Sequence, residues 1–208
     1  MQNRMMSARQ TGKCNRGFSL IELMIVVAVG MILMAIVPPL MLNTISNMKL
    51  RYSATDLSGL IQKARMEAVR KNTFYPINTA TLSAGDVGYF VDLSPKPSSG
   101  MYAAGDPLVE MGGQVNVHAG AGSGAPGETA FIAGLNFTAV ATGVLPAFNA
   151  RGLPCVVAGN LCPQVPTQGF VSFLSRTGTF GTSWAAVAVT PSGRVQVWSY
   201  DGTNWVQQ

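Results

Sequence analysis

Glu22 is a single carboxylate at the head of a run that is otherwise apolar, Phe18-Ser19-Leu20-Ile21-Glu22-Leu23-Met24 and onward to Leu42. Burying an unpaired carboxylate in hydrocarbon costs several kcal/mol, so this position calls for a cation supplied from elsewhere. Another copy of the same helix is the most economical source. The remaining chemistry-bearing residues are few. With Cys14 set aside in the basic N-terminal stretch, Cys155 and Cys162 form an even pair closing a small loop, which predicts a disulfide and an oxidising compartment. Two free thiols are the alternative; a zinc site has no second pair or histidine near it to complete the ligand set. His118 is the only histidine, so one chain can build neither a His-based metal site nor a Ser-His-Asp triad. The Gly-Ala-Gly-Ser-Gly run at 120–124 is not followed by the lysine and helix of a phosphate-binding loop. The expectation is a protein without enzymatic activity, cofactor or metal.

The elements that position these residues begin with a membrane-grade helix. Leu23 to Leu42 is twenty residues without a charge, about the length that spans a bilayer's hydrocarbon core. Basic residues precede it, so the N-terminus is expected in the cytoplasm and the C-terminal part across the membrane. An ordinary secretory signal peptide is the competing reading. Against it, the glutamate opens the apolar run and Ile36-Val37-Pro38-Pro39 offers no small-x-small cleavage site. Pro38 and Pro39 each remove a backbone donor and predict a kink or a loosened turn. Beyond them Met48, Tyr52, Leu57, Leu60, Ile61, Ala64, Ala68 and Val69 keep mainly to three- and four-residue spacing, one face of a helix running to about Lys71 and expected against a sheet. Lys63-Glu67 and Glu67-Lys71 are i,i+4 pairs worth a few tenths of a kcal/mol each.

After Asn72 the pattern changes to short runs punctuated by Gly, Pro, Asp and Ser, which predicts antiparallel strands. The candidates are 74–78, 88–93, 114–118, 130–137, 169–174, 185–190, 194–200 and 205–207. Pro191-Ser192-Gly193 and Asp201-Gly202 mark two hairpins. Gly112 to Gly127 reads as a mobile loop and Ala150 to Thr167 as an irregular segment pinned by the cysteines. Trp184, Trp198 and Trp205 are expected to pack the fold more than to bind a ligand. The fold class is therefore α+β, with one head over 73–208, an amphipathic helix over 43–72 and an apolar helix over 18–42. The 14 basic residues against 9 acidic ones invite a nucleic-acid reading, but Arg4, Arg9, Lys13 and Arg16 all precede Gly17. Without them 10 remain, and the chain is nearly neutral.

Gly17-Phe18-Ser19-Leu20-Ile21-Glu22-Leu23-Met24, behind its basic leader, closely resembles the processing site of the type IV pilin family, which includes type II secretion pseudopilins and minor pilins. The resemblance implies a pilin-like fold, removal of leader 1–17 by prepilin peptidase between Gly17 and Phe18, and N-methylation of Phe18. It also implies that Glu22 neutralises the terminal amine of a neighbouring subunit. Leu57 to Asn72, LSGLIQKARMEAVRKN, resembles the amphipathic helix of the GspH/FimT minor-pilin subfamily. Phe148-Asn149-Ala150-Arg151-Gly152 and Thr190-Pro191-Ser192-Gly193-Arg194-Val195 resemble its strand-turn elements. The implied role is a minor subunit of a type IV pilus or type II secretion pseudopilus, in assembly initiation or at the tip. Its partners would be other pilins, prepilin peptidase and the inner-membrane assembly platform, with a single-pass anchor and a periplasmic head. Two alternatives stand beside this. One is a major filament subunit. The other is DNA capture, since some members of the subfamily bind DNA through Gly-Arg-any-Arg; here Gly193-Arg194-Val195-Gln196 supplies the first half, and Arg151, Arg176 and Arg194 would have to converge.

Overall fold

The structure is a computed structural model that describes residues 18–82, 86–94, 100–111, 115–140, 143–164, 166–178 and 181–208, without the side chains of 35–40 and 42–43. Leader 1–17, with Gly17 and Cys14, lies outside the described residues. The chain divides into two units, Met1–Met41 and Leu42–Gln208.

The first unit is helical from Leu20 onward among the described residues. Helix α1 (Leu20–Lys71) starts at Leu20, and the Leu23 amide donates to the Ser19 carbonyl at 3.1 Å. Leu20, Ile21, Leu23, Met24, Ile25, Val26 and Val27 are all exposed, so the helix is apolar on every side. A helix of that kind is stable only when something else surrounds it. The backbone stays helical through Pro38 and Pro39, so the doublet does not end α1; their side chains lie outside the described residues. Among the described residues no helix is long and apolar enough to cross a membrane. The uncharged run of the sequence reaches into 35–40 and 42, whose side chains are outside that description.

In the second unit α1 buries Leu50, Ala54, Leu57, Ile61, Ala64 and Ala68, alternating four- and three-residue steps that keep one stripe facing inward. This corrects the expected face. Met48, Tyr52 and Val69 are exposed, because the sheets cover only one side of the helix. Glu67 pairs with Arg70 at 2.6 Å, in place of the expected Lys63 and Lys71.

Two sheets pack on that stripe. One has the order β3-β2-β1-β6-β7, from β1 (Tyr75–Thr81), β2 (Val87–Val91), β3 (Leu108–Glu110), β6 (Ala147–Phe148) and β7 (Pro154–Cys155). The other has the order β11-β10-β9-β8-β4, from β4 (Val115–Ala119), β8 (Gln168–Gly178), β9 (Gly181–Val189), β10 (Val195–Tyr200) and β11 (Trp205–Gln207), with β5 (Thr138–Ala139) parallel to β8. Phe170, Leu174, Ala185, Val187 and Val189 of this second sheet join the α1 core. Val171, Phe173, Ala186 and Ala188, one residue out of phase, face a second cluster. Both faces of β8 and β9 are covered, so adjacent positions such as Phe170-Val171, Phe173-Leu174 and 185–189 are both apolar in place of a strict alternation.

The second cluster holds the main correction to the sequence reading. Residues 130–137, expected as a strand, form most of α2 (Glu128–Gly134) and the turn after it. Phe131, Ile132 and Leu135 all pack on Phe173's side of the sheet, whereas a strand would turn the neighbours Phe131 and Ile132 to opposite faces. Phe131 meets Trp205 at 4.7 Å and Trp198 at 5.4 Å between ring centroids, and the Trp205 indole donates to the Pro126 carbonyl. The three tryptophans therefore pack, as expected. The glycine run before α2 is tied down. Glu128 accepts from the Gly122 amide, from the Ser123 hydroxyl at 2.8 Å and from the Gly124 amide at 3.1 Å.

Both hairpins form. Gly193, at φ 81°, turns β9 into β10, and Gly202, at φ 103°, turns β10 into β11. The second is braced by Asp201, whose carboxylate accepts from the Asn204 and Thr203 amides; these bonds hold its pKa below the ordinary value. Cys155 and Cys162 are bonded, and closing so short a loop contributes about 2.5 kcal/mol through the unfolded chain.

Tyr89 on β2 is buried in the α1 core, and burial pushes its phenol above the ordinary value of 10. The unfolded chain ionises at the ordinary value while the folded head keeps the proton. The stability this provides is full below about pH 10 and is lost as pH rises through the folded value. Urea melts across that range are expected to lose stability in alkali, and Tyr89→Phe is expected to reduce the slope. An unchanged slope would mean that the phenol ionises freely in the folded head.

Candidate assembly site

Of the residues expected in processing and assembly, Phe18 and Glu22 are described, and they lie at the start of α1. Phe18 is 76% exposed, and Glu22 falls in the first turn of α1, also exposed. An acidic side chain there is favoured by the partial positive charge of the helix N-terminus, worth about 0.3–1 kcal/mol. That accounts for a carboxylate on a water-facing helix. It does not account for one among side chains that are otherwise uniformly apolar. With Leu20, Ile21, Leu23 and Met24 around it, Glu22 offers a charge to whatever surface covers this helix.

A second site lies entirely in the head, where the three later sequence motifs meet. Arg65, from the 57–72 helix motif, donates through Nη1 to the Gly193 carbonyl at 2.9 Å. Gly152, at φ 72°, ends the turn that follows Phe148, with the Asn149 side chain accepting from the Arg151 and Leu153 amides. A Cβ on Gly152 would lie 3.0 Å from Val69 Cγ2 and 3.1 Å from Arg65 Nε; one on Gly193 would lie 2.8 Å from the Gly152 carbonyl oxygen. Both glycines have a left-handed backbone; at Gly193 the contact is also too close for any side chain, while at Gly152 a side chain would need Val69 and Arg65 to give by a few tenths of an ångström. The 149–152 and 190–194 turns are clamped to each other and to the last turns of α1. Arg65 is the linchpin that sequence reasoning missed. The only signal was the placing of glycine beside arginine in both turns.

This arrangement brings Arg151 and Arg194 to the same end of the head. Arg176 does not join them. It pairs with Ser183 across β8 and β9, seven residues along β9 from Thr190, or about 23 Å at strand rise. Its Nε and Nη1 atoms are buried and have no hydrogen-bond partner among the described residues. The three-arginine cluster that DNA capture would need is therefore reduced to Arg151 and Arg194, with Arg65 and Arg70 of α1 beside Arg194. His118 sits on β4, 3.4 Å from the Ser175 hydroxyl and beside Trp184, in a strand and not a loop. Among the described residues no group of three or more His, Cys, Asp or Glu is placed to hold a metal ion.

No curated protein and no solved structure matches the chain. A family described as "Prokaryotic N-terminal methylation motif" matches residues 12–38, so the chain carries a type IV pilin-like prepilin leader around Gly17, Phe18 and Glu22.

Proposed function

We propose that this chain is a minor pilin or pseudopilin of the GspH/FimT type with a structural and not an enzymatic role. Prepilin peptidase cuts between Gly17 and Phe18 and methylates the new Phe18 amine. The apolar helix over 18–42 holds the subunit in the inner membrane with the head in the periplasm, then carries it into a type IV pilus or type II secretion pseudopilus, in assembly initiation or at the tip. The observation that carries this reading is the match over residues 12–38 on a helix whose apolar residues are exposed on all sides. Helix packing supplies the cohesion. The Glu22 carboxylate against a neighbour's amine sets the axial register, because each charge is penalised heavily when left unpaired.

A DNA-binding role has less support, since Arg176 stands apart from Arg151 and Arg194 and Gln196 replaces the second arginine of the motif. The deciding experiment is the intact mass and N-terminal sequence of the membrane-extracted protein, with and without reductant. The expected species begins at N-methylated Phe18 and gains two hydrogens on reduction. A chain that begins at Met1, or one cut beyond Leu42, would overturn the reading.

A further inference from the structure

A groove of about 730 Å³ runs between the last turns of α1 and the β9–β10 turn. Its floor is Met66, Val69 and Val195, and its rim carries Arg65, Arg70 and Arg194. Met66 is 64% and Val69 51% exposed, although Ala64 and Ala68 beside them are fully buried. Neither side chain belongs to the head's buried core. The charge at the rim is one-sided. Glu67 is taken up by Arg70, Arg65 reaches the Gly193 carbonyl, and the Arg194 guanidinium hydrogen-bonds to nothing among the described residues. Arg151, on the adjoining turn, adds a further exposed cation.

A separate observation lies two turns upstream on the same helix face. Gly59 is exposed in mid-helix, and a Cβ there would meet no atom within 4 Å. Nothing in the head's packing requires glycine at this point, yet glycine weakens a helix by about 1 kcal/mol relative to alanine. A small residue on an exposed helix face lets a second backbone approach closely. Gly59, Gln62, Met66 and Val69 follow the three- and four-residue steps of a single seam.

We propose that this seam and groove are the docking site for another protein of the assembly, which lays along α1 a segment of apolar side chains flanked by carboxylates. The inference rests on the assembly reading above. Charge selects the occupant. From residue 49 onward α1 carries Lys49, Arg51, Lys63, Arg65, Arg70 and Lys71 with only Asp56 and Glu67 among them, so two copies of this chain apposed through that part of α1 would repel. An apolar floor holding methionine, with arginine around it, is the composition of a protein interface core and offers a phosphate backbone little.

The test places the photoreactive residue p-benzoylphenylalanine at Met66 of the full chain, in cells that build the filament. Assembled material is irradiated and the crosslinked peptide is identified by mass spectrometry. The expected product is a peptide of a different protein in which Asp or Glu flank apolar residues. Arg151→Glu with Arg194→Glu is expected to lower the crosslink yield about tenfold. Gly59→Leu is expected to do the same while leaving the thermal midpoint unchanged or raised. Crosslinks to this chain's own sequence, crosslinks to nucleic acid, no crosslink in assembled material, or yields indifferent to these variants would each overturn the proposal. If the chain is unprocessed, or absent from the assembled fraction, the assembly reading itself fails, and this inference with it.

Discussion

Glu22→Val is expected to leave the protein inserted in the membrane and cleaved after Gly17, yet nearly absent from sheared filaments. Valine matches the apolar surroundings of Leu20, Ile21, Leu23 and Met24, so insertion loses nothing and helix formation only the first-turn charge, about 0.3–1 kcal/mol. The loss falls on the neighbour. Its Phe18 amine would enter the packed helices with no counter-charge, and leaving one member of a buried pair uncompensated costs about 3–5 kcal/mol. That corresponds to a fall in incorporation of roughly a hundredfold or more. Glu22→Asp keeps the charge on a shorter stem and is expected to retain part of the activity, whereas Glu22→Gln keeps the shape and loses it. Immunoblots of membrane and sheared fractions, with N-terminal sequencing of the membrane form, separate the steps. Normal incorporation of Glu22→Val would show that the carboxylate has no role in register. Failure of cleavage would place its role in processing.

The largest expected effect on folding is that of Phe148→Ala. Phe148 is fully buried, pairs with Tyr75 on β1 and with Pro154 on β7, and belongs to the core cluster under α1. Truncating such a ring leaves a cavity that the surrounding elements cannot fill, at a cost of about 3–5 kcal/mol. For a head of this size the thermal midpoint is expected to fall by about 10 °C. The effect should reach the surface, because the Asn149–Gly152 turn that follows Phe148 is clamped to Arg65 and Gly193. Thermal melts of the detergent-solubilised full chain are the check. A fall of less than about 1 kcal/mol would mean that the ring is not holding these elements together.

Much of the architecture is written in local signals. The leader and its glutamate, the apolar run, the two hairpins at Gly193 and Gly202 and the Cys155–Cys162 loop each depend on a few neighbouring residues, and a single sequence displays them. The error over 130–137 has a different origin. Phe131, Ile132 and Phe137 are apolar enough for a strand, and the run is short enough for either element. The choice of helix came from the far face of β8 and β9, where Val171, Phe173, Ala186 and Ala188 needed a cover that presents an aromatic side chain from one turn.

The same division applies to the sites. By itself the sequence displayed the methylation motif over residues 12–38, because that motif is ordered along one short segment. It also determined that α1 would be amphipathic in the head. Which apolar residues of α1 turn inward was decided by the tertiary structure. Two sheets on one side bury Leu50, Ala54, Leu57, Ile61, Ala64 and Ala68 and leave Met48, Tyr52, Met66 and Val69 to solvent. The tertiary structure alone joined Arg65, Gly152 and Gly193, which are far apart in sequence, and separated Arg176 from Arg194 by the length of β9. Helical period and turn chemistry are properties of adjacent residues. Burial of one face and meeting of distant turns depend on what packs opposite, and that is fixed only when the whole core closes.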